Sequence, residues 1–204
     1  MKLILVRHTE SVGNYRKVYA GTTDFELTEK GISQIHNVVN RITKMINKSS
    51  NYRLYTSPLQ RCTFLANEIE KLLKFSMVVV PHLRETNFGV FEGKSYDTIL
   101  KESPEILEGW NNNFIHFKIP QGESLIECYN RVTLFCNELK EKNDDCIIVS
   151  HGGIIKLILL IMLDLDSNHF WKFTTENGCV IELEYNEGFG FLKNMFQLEE
   201  DGET

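Results

Sequence analysis

Lys2-Leu3-Ile4-Leu5-Val6-Arg7-His8-Thr9-Glu10 decides how the rest of the chain is read. A short apolar run that ends in charge is a buried strand. It delivers Arg7 and His8 to the end of a sheet. Far downstream, Cys146-Ile147-Ile148-Val149-Ser150 runs in the same way into His151-Gly152-Gly153. Two strands that end in histidines, one beside an arginine, point to a site that handles phosphate through a nucleophilic imidazole.

Outward from these strands, strand and helix patterns alternate. Ile32, Ile35, Val38, Val39, Ile42, Met45 and Ile46 recur at helical spacing. Tyr52 to Thr56 reads as a strand. Pro58 suits the first turn of a following helix with Phe64, Leu65, Ile69, Leu72 and Leu73 on its apolar side. Met77 to Val80 reads as another buried strand, stopped by Pro81. Ser124 and Glu127 form a capping-box signature, with Leu125, Tyr129, Val132 and Leu139 continuing the helix. Val180–Tyr185 and Phe189–Phe196 read as a hairpin around Asn186-Glu187-Gly188. Residues 198–204 are acidic and are expected to fray. This order predicts a three-layer α/β/α fold: a mainly parallel sheet with helices on both faces. Ligands of such sheets sit beyond the carboxyl ends of the strands. Residues 84–122 are irregular and rich in Phe, Trp, Asn and Gly, which reads as a lid or binding segment with room for short helices of its own. No internal repeat, linker or boundary divides residues 1–204.

The 204 residues are 42% hydrophobic and 25% charged, enough to bury a core without staples. A net charge of −6 argues against nucleic acid or an anionic membrane as the partner. The longest apolar stretch, Ile154 to Leu163, is broken by Lys156 and is too short to span a bilayer. No leader is visible in the opening residues. Five cysteines without CxxC or metal-ligand spacing read as reduced thiols of a cytoplasmic protein. No metal or cofactor is expected.

Arg7-His8-Thr9-Glu10 with Asn14 resembles the RHGE…N signature of the histidine phosphatase superfamily, which has the phosphoglycerate-mutase-like fold. The resemblance continues in family order. It runs through Tyr19-Ala20-Gly21-Thr22-Thr23-Asp24, Leu27-Thr28-Glu29-Lys30-Gly31 and Thr56-Ser57-Pro58-Leu59-Gln60-Arg61. Leu83-Arg84-Glu85 with Gly89 and Glu92-Gly93 follows, then Gly122-Glu123-Ser124 and Ser150-His151-Gly152-Gly153.

The resemblance implies roles. His8 is the nucleophile that forms a phosphohistidine. Arg7 and Arg61 grip the phosphoryl oxygens, and His151 completes the anion clamp. These cations hold His8 unprotonated. Glu85 protonates the leaving alcohol and then activates water, with Glu92 and Asp97 as nearby alternatives. Asn14 and Ser57 add hydrogen bonds to the phosphate, and Gly21 and Thr22 belong to the substrate-binding set. His36, His82, His116 and His169 have no family context. Phe88, Phe91, Trp110, Phe114 and Phe117 divide between core and substrate.

Two positions depart from the family pattern. Thr9 stands for the usual glycine, so its turn must be right-handed or strained. Leu65 stands for the usual threonine, at a position that looks structural. Within the family, the blocks look most like those of α-ribazole-5′-phosphate phosphatases of cobalamin assembly. The implied partner is a small phosphomonoester, and a homodimer is compatible with it. A broad-specificity phosphatase and a phosphoglycerate-mutase-type phosphoryl transferase are the alternative readings.

Overall fold

The computed structural model describes residues 1–47 and 51–198. Strands β1 (Lys2–Arg7), β2 (Arg53–Thr56), β3 (Met77–Val79) and β4 (Cys146–Ser150) run parallel. An antiparallel hairpin, β5 (Val180–Asn186) and β6 (Phe189–Phe196), extends the sheet beside β1. The order across the sheet is β3-β2-β4-β1-β5-β6. The helices are α1 (Val12–Tyr15), α2 (Glu29–Met45), α3 (Gln60–Leu73), α4 (Tyr96–Glu102), α5 (Pro104–Asn112), α6 (Leu125–Lys142) and α7 (Gly152–Met162).

The strand period of two sorts the apolar residues onto two faces. Leu3, Leu5 and Ile148 share one core cluster with Val132 and Phe135 of α6 and Ile155 and Leu159 of α7. Ile4, Val6, Ile147 and Val149 share the other with Val38 and Ile42 of α2 and Leu65 and Ile69 of α3. Because β1 and β4 are buried on both faces, they read as unbroken apolar runs. Leu65 is therefore core, as its structural reading required. Residues 84–122, expected to be irregular, carry α4 and α5, and a third, smaller cluster of Phe91, Ile99, Leu107 and Ile119 lies within them.

Three local expectations change. β3 is an edge strand, not a buried one: Val78 and Val79 are 47% and 46% exposed. Its apolar run reflects β propensity rather than burial. Pro58 lies before α3, not in its first turn, and the N-cap Leu59 has no side-chain capping bond. The Gln60 N–H is instead taken by both carboxylate oxygens of Asp24, at 3.0 and 2.9 Å. A distant loop thus caps the helix. Phe64 and Leu72 of α3 are exposed. The capping box of α6 and the hairpin form as read. Residues 199–204, with the acidic tail, lie outside the described residues.

Register brings the strand ends level. Arg7 pairs with Ser150 and Thr56 with Val149. Beyond the strands, the His8 N–H donates to the Ser150 carbonyl and the Ser57 N–H to the Val149 carbonyl, each at 3.0 Å. Three chain segments distant in sequence thereby present His8, His151 and Ser57 at one carboxyl edge.

Candidate active site

His8 is buried, with 3% of its surface exposed. Its Nδ1 lies 2.7 Å from the Thr9 carbonyl oxygen. A carbonyl can only accept, so Nδ1 carries the proton and Nε2 keeps its lone pair. Burial pushes the His8 pKa well below the ordinary imidazole value, and the charges of Arg61 and Arg7 push it further. The Thr9 bond opposes this more weakly. Thr9 is not among the residues of positive φ, so a β-branched residue stands there without left-handed strain.

His151 has the opposite tautomer. Its Nδ1 is 3.3 Å from Arg61 Nε, which can only donate. The ring proton therefore sits on Nε2, which donates to Ser57 Oγ at 2.7 Å. Ser57 Oγ also accepts from the Leu59 N–H at 3.3 Å, leaving its own O–H for another acceptor. The two imidazoles meet edge-to-face with centroids 5.2 Å apart. Burial and Arg61 hold the His151 pKa well below its usual value too.

The arginines differ. Arg7 donates from Nη1 to the Thr175 carbonyl at 2.5 Å, but its Nε is buried without a partner. An orphaned buried donor costs stability unless a ligand completes it. Arg61, only 1% exposed, is already engaged. Besides His151, it donates to the carbonyls of Thr23 at 3.0 Å, Ala20 at 3.1 Å and Gly21 at 2.7 Å. The fork expected to grip phosphate therefore ties the 20–23 loop to His151.

The same loop claims Glu92. Its carboxylate accepts from the N–H groups of Gly21, Thr22, Thr23 and Phe88, at 3.2, 2.9, 3.0 and 2.9 Å. A carboxylate so engaged is a staple for the loop. Gly21 and Thr22 are likewise spent on Glu92 and Arg61. A Cβ on Gly21 would sit 2.0 Å from the Thr86 carbonyl oxygen, so only glycine allows this approach. Asp97 is exposed in the first turn of α4.

Glu85 is held differently. It accepts from its neighbour Thr86 N–H at 2.9 Å and from the Gly153 N–H, at the start of α7, at 3.3 Å. A Cβ on Gly153 would lie 2.7 Å from Glu85 Oε1. Arg131 of α6 fixes the segment from behind, donating to the carbonyls of His82 at 2.6 Å and Glu85 at 3.1 Å while paired with Glu123 at 2.7 Å. Asn14 Oδ1 accepts from Ser11 and from Asn177 Nδ2, the latter at 3.0 Å. Asn177 also donates to the carbonyls of His8 at 3.2 Å and Thr9 at 3.4 Å.

Residues 3–197 match the family model described as histidine phosphatase superfamily (branch 1). The chain belongs to this superfamily. It is an enzyme of the phosphatase class. It is 28% identical over 195 residues to the adenosylcobalamin/alpha-ribazole phosphatase of Salmonella typhimurium, covering 95% of each chain. It is 29% identical over 188 residues to phosphoserine phosphatase 1 of Hydrogenobacter thermophilus, covering 90% of this chain and 87% of that one. Its fold superposes on the alpha-ribazole phosphatase from Shigella flexneri with a TM-score of 0.85 at 27% identity, covering 95% of each.

In this histidine phosphatase, a cavity of about 470 Å³ is lined by the chain neighbours of the histidines, Arg7 and Gly152. Arg7, Glu85, Gly152 and Gly153 form its polar end, while His8 does not line it. Phe88, Trp110 and Phe114 face the cavity. Phe91 is fully buried, and Phe117 packs in the small third cluster. The sequence reading missed that Phe170, Trp171 and residues 173–176 continue the cavity wall, with Phe114 against Phe170 and Trp171, and that Asn177 and Arg131 hold the backbone behind it. An aromatic and polar run ahead of Asn177-Gly178 is the one signal there, and it has no periodicity. Among the described residues no group of three or more His, Cys, Asp or Glu could hold a metal ion. No described helix is long and apolar enough to cross a membrane.

Proposed function

We propose that this phosphatase hydrolyses α-ribazole 5′-phosphate to α-ribazole and phosphate, through a phosphohistidine on His8. The fixed His8 tautomer carries the chemistry, because it leaves an Nε2 lone pair on a neutral ring. In the first step Nε2 bonds to phosphorus as the ester P–O bond breaks, and the leaving oxygen takes a proton from Glu85. In the second, Glu85 takes a proton from water as the water oxygen attacks phosphorus. The electron pair of the breaking N–P bond returns to His8.

The orphaned Arg7 Nε, the free Ser57 O–H and the Asn14 amide supply donors for the phosphoryl oxygens. His151 holds Ser57, and Arg61 acts through its charge and by fixing the loop that contains Gly21 and Thr22. The aromatic cavity suits a flat benzimidazole base, and residues 84–122 act as its lid. Likeness to two alpha-ribazole phosphatases over 95% of the chain supports this substrate. Five buried free thiols favour a reducing, cytoplasmic setting.

A panel of phosphomonoesters, with acid-quench trapping of labelled enzyme, tests the reading. α-Ribazole 5′-phosphate should be the preferred substrate, and the label should map to His8. Label on His151, or preference for another sugar phosphate, overturns it.

A further inference from the structure

Lys156 lies one turn into α7, beyond Gly152 and Gly153, and it reaches the same cavity. Its Nζ sits 4.8 Å from the Trp171 ring centroid and 5.2 Å from that of Phe170. Half-buried, it makes no ion pair or hydrogen bond among the described residues. Cation–π contacts occupy one side of the ammonium and leave N–H donors unspent. The mechanism above does not use them.

The surroundings say what those donors can take. The wall beside Lys156 is aromatic: Trp171 and Phe114 are 4.9 Å apart, and Phe114 and Trp110 are 5.3 Å apart. A flat ring can stack there. Of the carboxylates that line the cavity, Glu123 is paired with Arg131 and Arg84, and Glu85 carries the proton for the leaving oxygen, which leaves Glu176 beside Arg7 and Lys156. The phosphoryl group engages Arg7 and brings further negative charge. An uncharged lone pair in a flat ring uses both features of this wall, the aromatic faces and an unspent N–H of Lys156.

We propose that Lys156 is a specificity-determining residue that donates a hydrogen bond to an uncharged ring nitrogen of a flat heteroaromatic leaving group stacked on this wall. In α-ribazole that atom is the benzimidazole nitrogen not bonded to ribose. The proposal rests on the reading that such a phosphomonoester is the substrate. The same ammonium could bind a carboxylate, so the test contains both chemistries.

kcat/KM is measured for α-ribazole 5′-phosphate, for its indole counterpart with C–H in place of that nitrogen, and for phosphoserine. The wild type should prefer the benzimidazole over the indole by about tenfold or more, since an ammonium covered by the bound ring and deprived of its acceptor is left unpaired. In Lys156→Met, which keeps the stem against Trp171, that ratio should fall to near one. In Lys156→Arg, which keeps charge and donors, most of it should survive. No preference in the wild type, or an unchanged ratio in Lys156→Met, overturns the role of Lys156 while the substrate reading stands. A larger loss for phosphoserine than for the benzimidazole makes Lys156 a carboxylate reader and also overturns it. Turnover of phosphoserine with neither riboside used refutes the substrate reading, and this proposal falls with it.

Discussion

The polar edge of the site and its aromatic cavity are built on different principles. At the polar edge, each ring is set by bonds from its own strand-end segment or from the segment that follows a neighbouring strand. Thr9 holds His8, and Ser57 and Arg61 hold His151. The cavity is assembled from Arg7, Tyr19 and residues within 85–125 and 152–176, which meet only after folding. The two histidines are thus anchored to the sheet, whereas much of the cavity wall belongs to segments packed around a small cluster of their own. The two glutamates make the same contrast. Glu92 is consumed by four backbone N–H groups, whereas Glu85 shares one with the start of α7 and faces the cavity.

The sharpest way to break this comparison is at His8. His8→Ala should lower kcat by about 10⁴-fold or more, because a covalent nucleophile has no substitute. Single-turnover assays on two unlike phosphomonoesters should show the same loss. A loss confined to one of them would place His8 in selectivity instead.

Next comes Glu85. Glu85→Gln should cut sugar-phosphate turnover by roughly 100-fold, but slow the burst with an activated aryl phosphate far less, because nitrophenolate leaves without a proton. Glu92→Gln should slow both bursts alike, as a loosened loop would. Leaving-group dependence in Glu92→Gln, with none in Glu85→Gln, would exchange the two roles.

Smaller again is the effect of the cavity wall. Phe114→Ala should raise KM for an aromatic riboside phosphate about tenfold, with kcat nearly kept, since lost stacking is uniform binding. A fall in kcat with KM constant would mean that the wall orients the reacting bond.

The gentlest test is pH. His8 and His151 have folded pKa values depressed below the ordinary 6.5. The unfolded chain therefore binds more protons as pH falls through that value, and folding loses stability there. Above it, their contribution is fully present. Tm should decline on acidification from about pH 7. The decline should be shallower in His151→Asn, and an unchanged slope would show that the buried rings are not its source.

The strand ends were legible in the sequence because they need only local information. An apolar run of strand length, followed by Arg7-His8 or His151, fixes which atoms reach the sheet edge, whatever the rest of the chain does. The capping box of α6 and the β5–β6 hairpin are local in the same sense. The family resemblance added Glu85 and Arg61, which no period marks. β3 was misjudged because an apolar run tells of strand propensity, not of whether a sheet continues on both sides.

Sequence by itself determined the doubly covered sheet, the two histidines at its edge and the candidate acid. Tertiary structure alone decided which ring nitrogen carries each proton, that Arg61 and Glu92 bind the 20–23 loop, and that Asp24 caps α3. It also decided that Asn177 holds the His8 and Thr9 carbonyls, that Arg131 holds the Glu85 carbonyl, and that Lys156 lines the cavity. Hydrogen-bond partners and unpaired charges depend on groups brought within about 3 Å from distant segments, and residue order does not encode that distance.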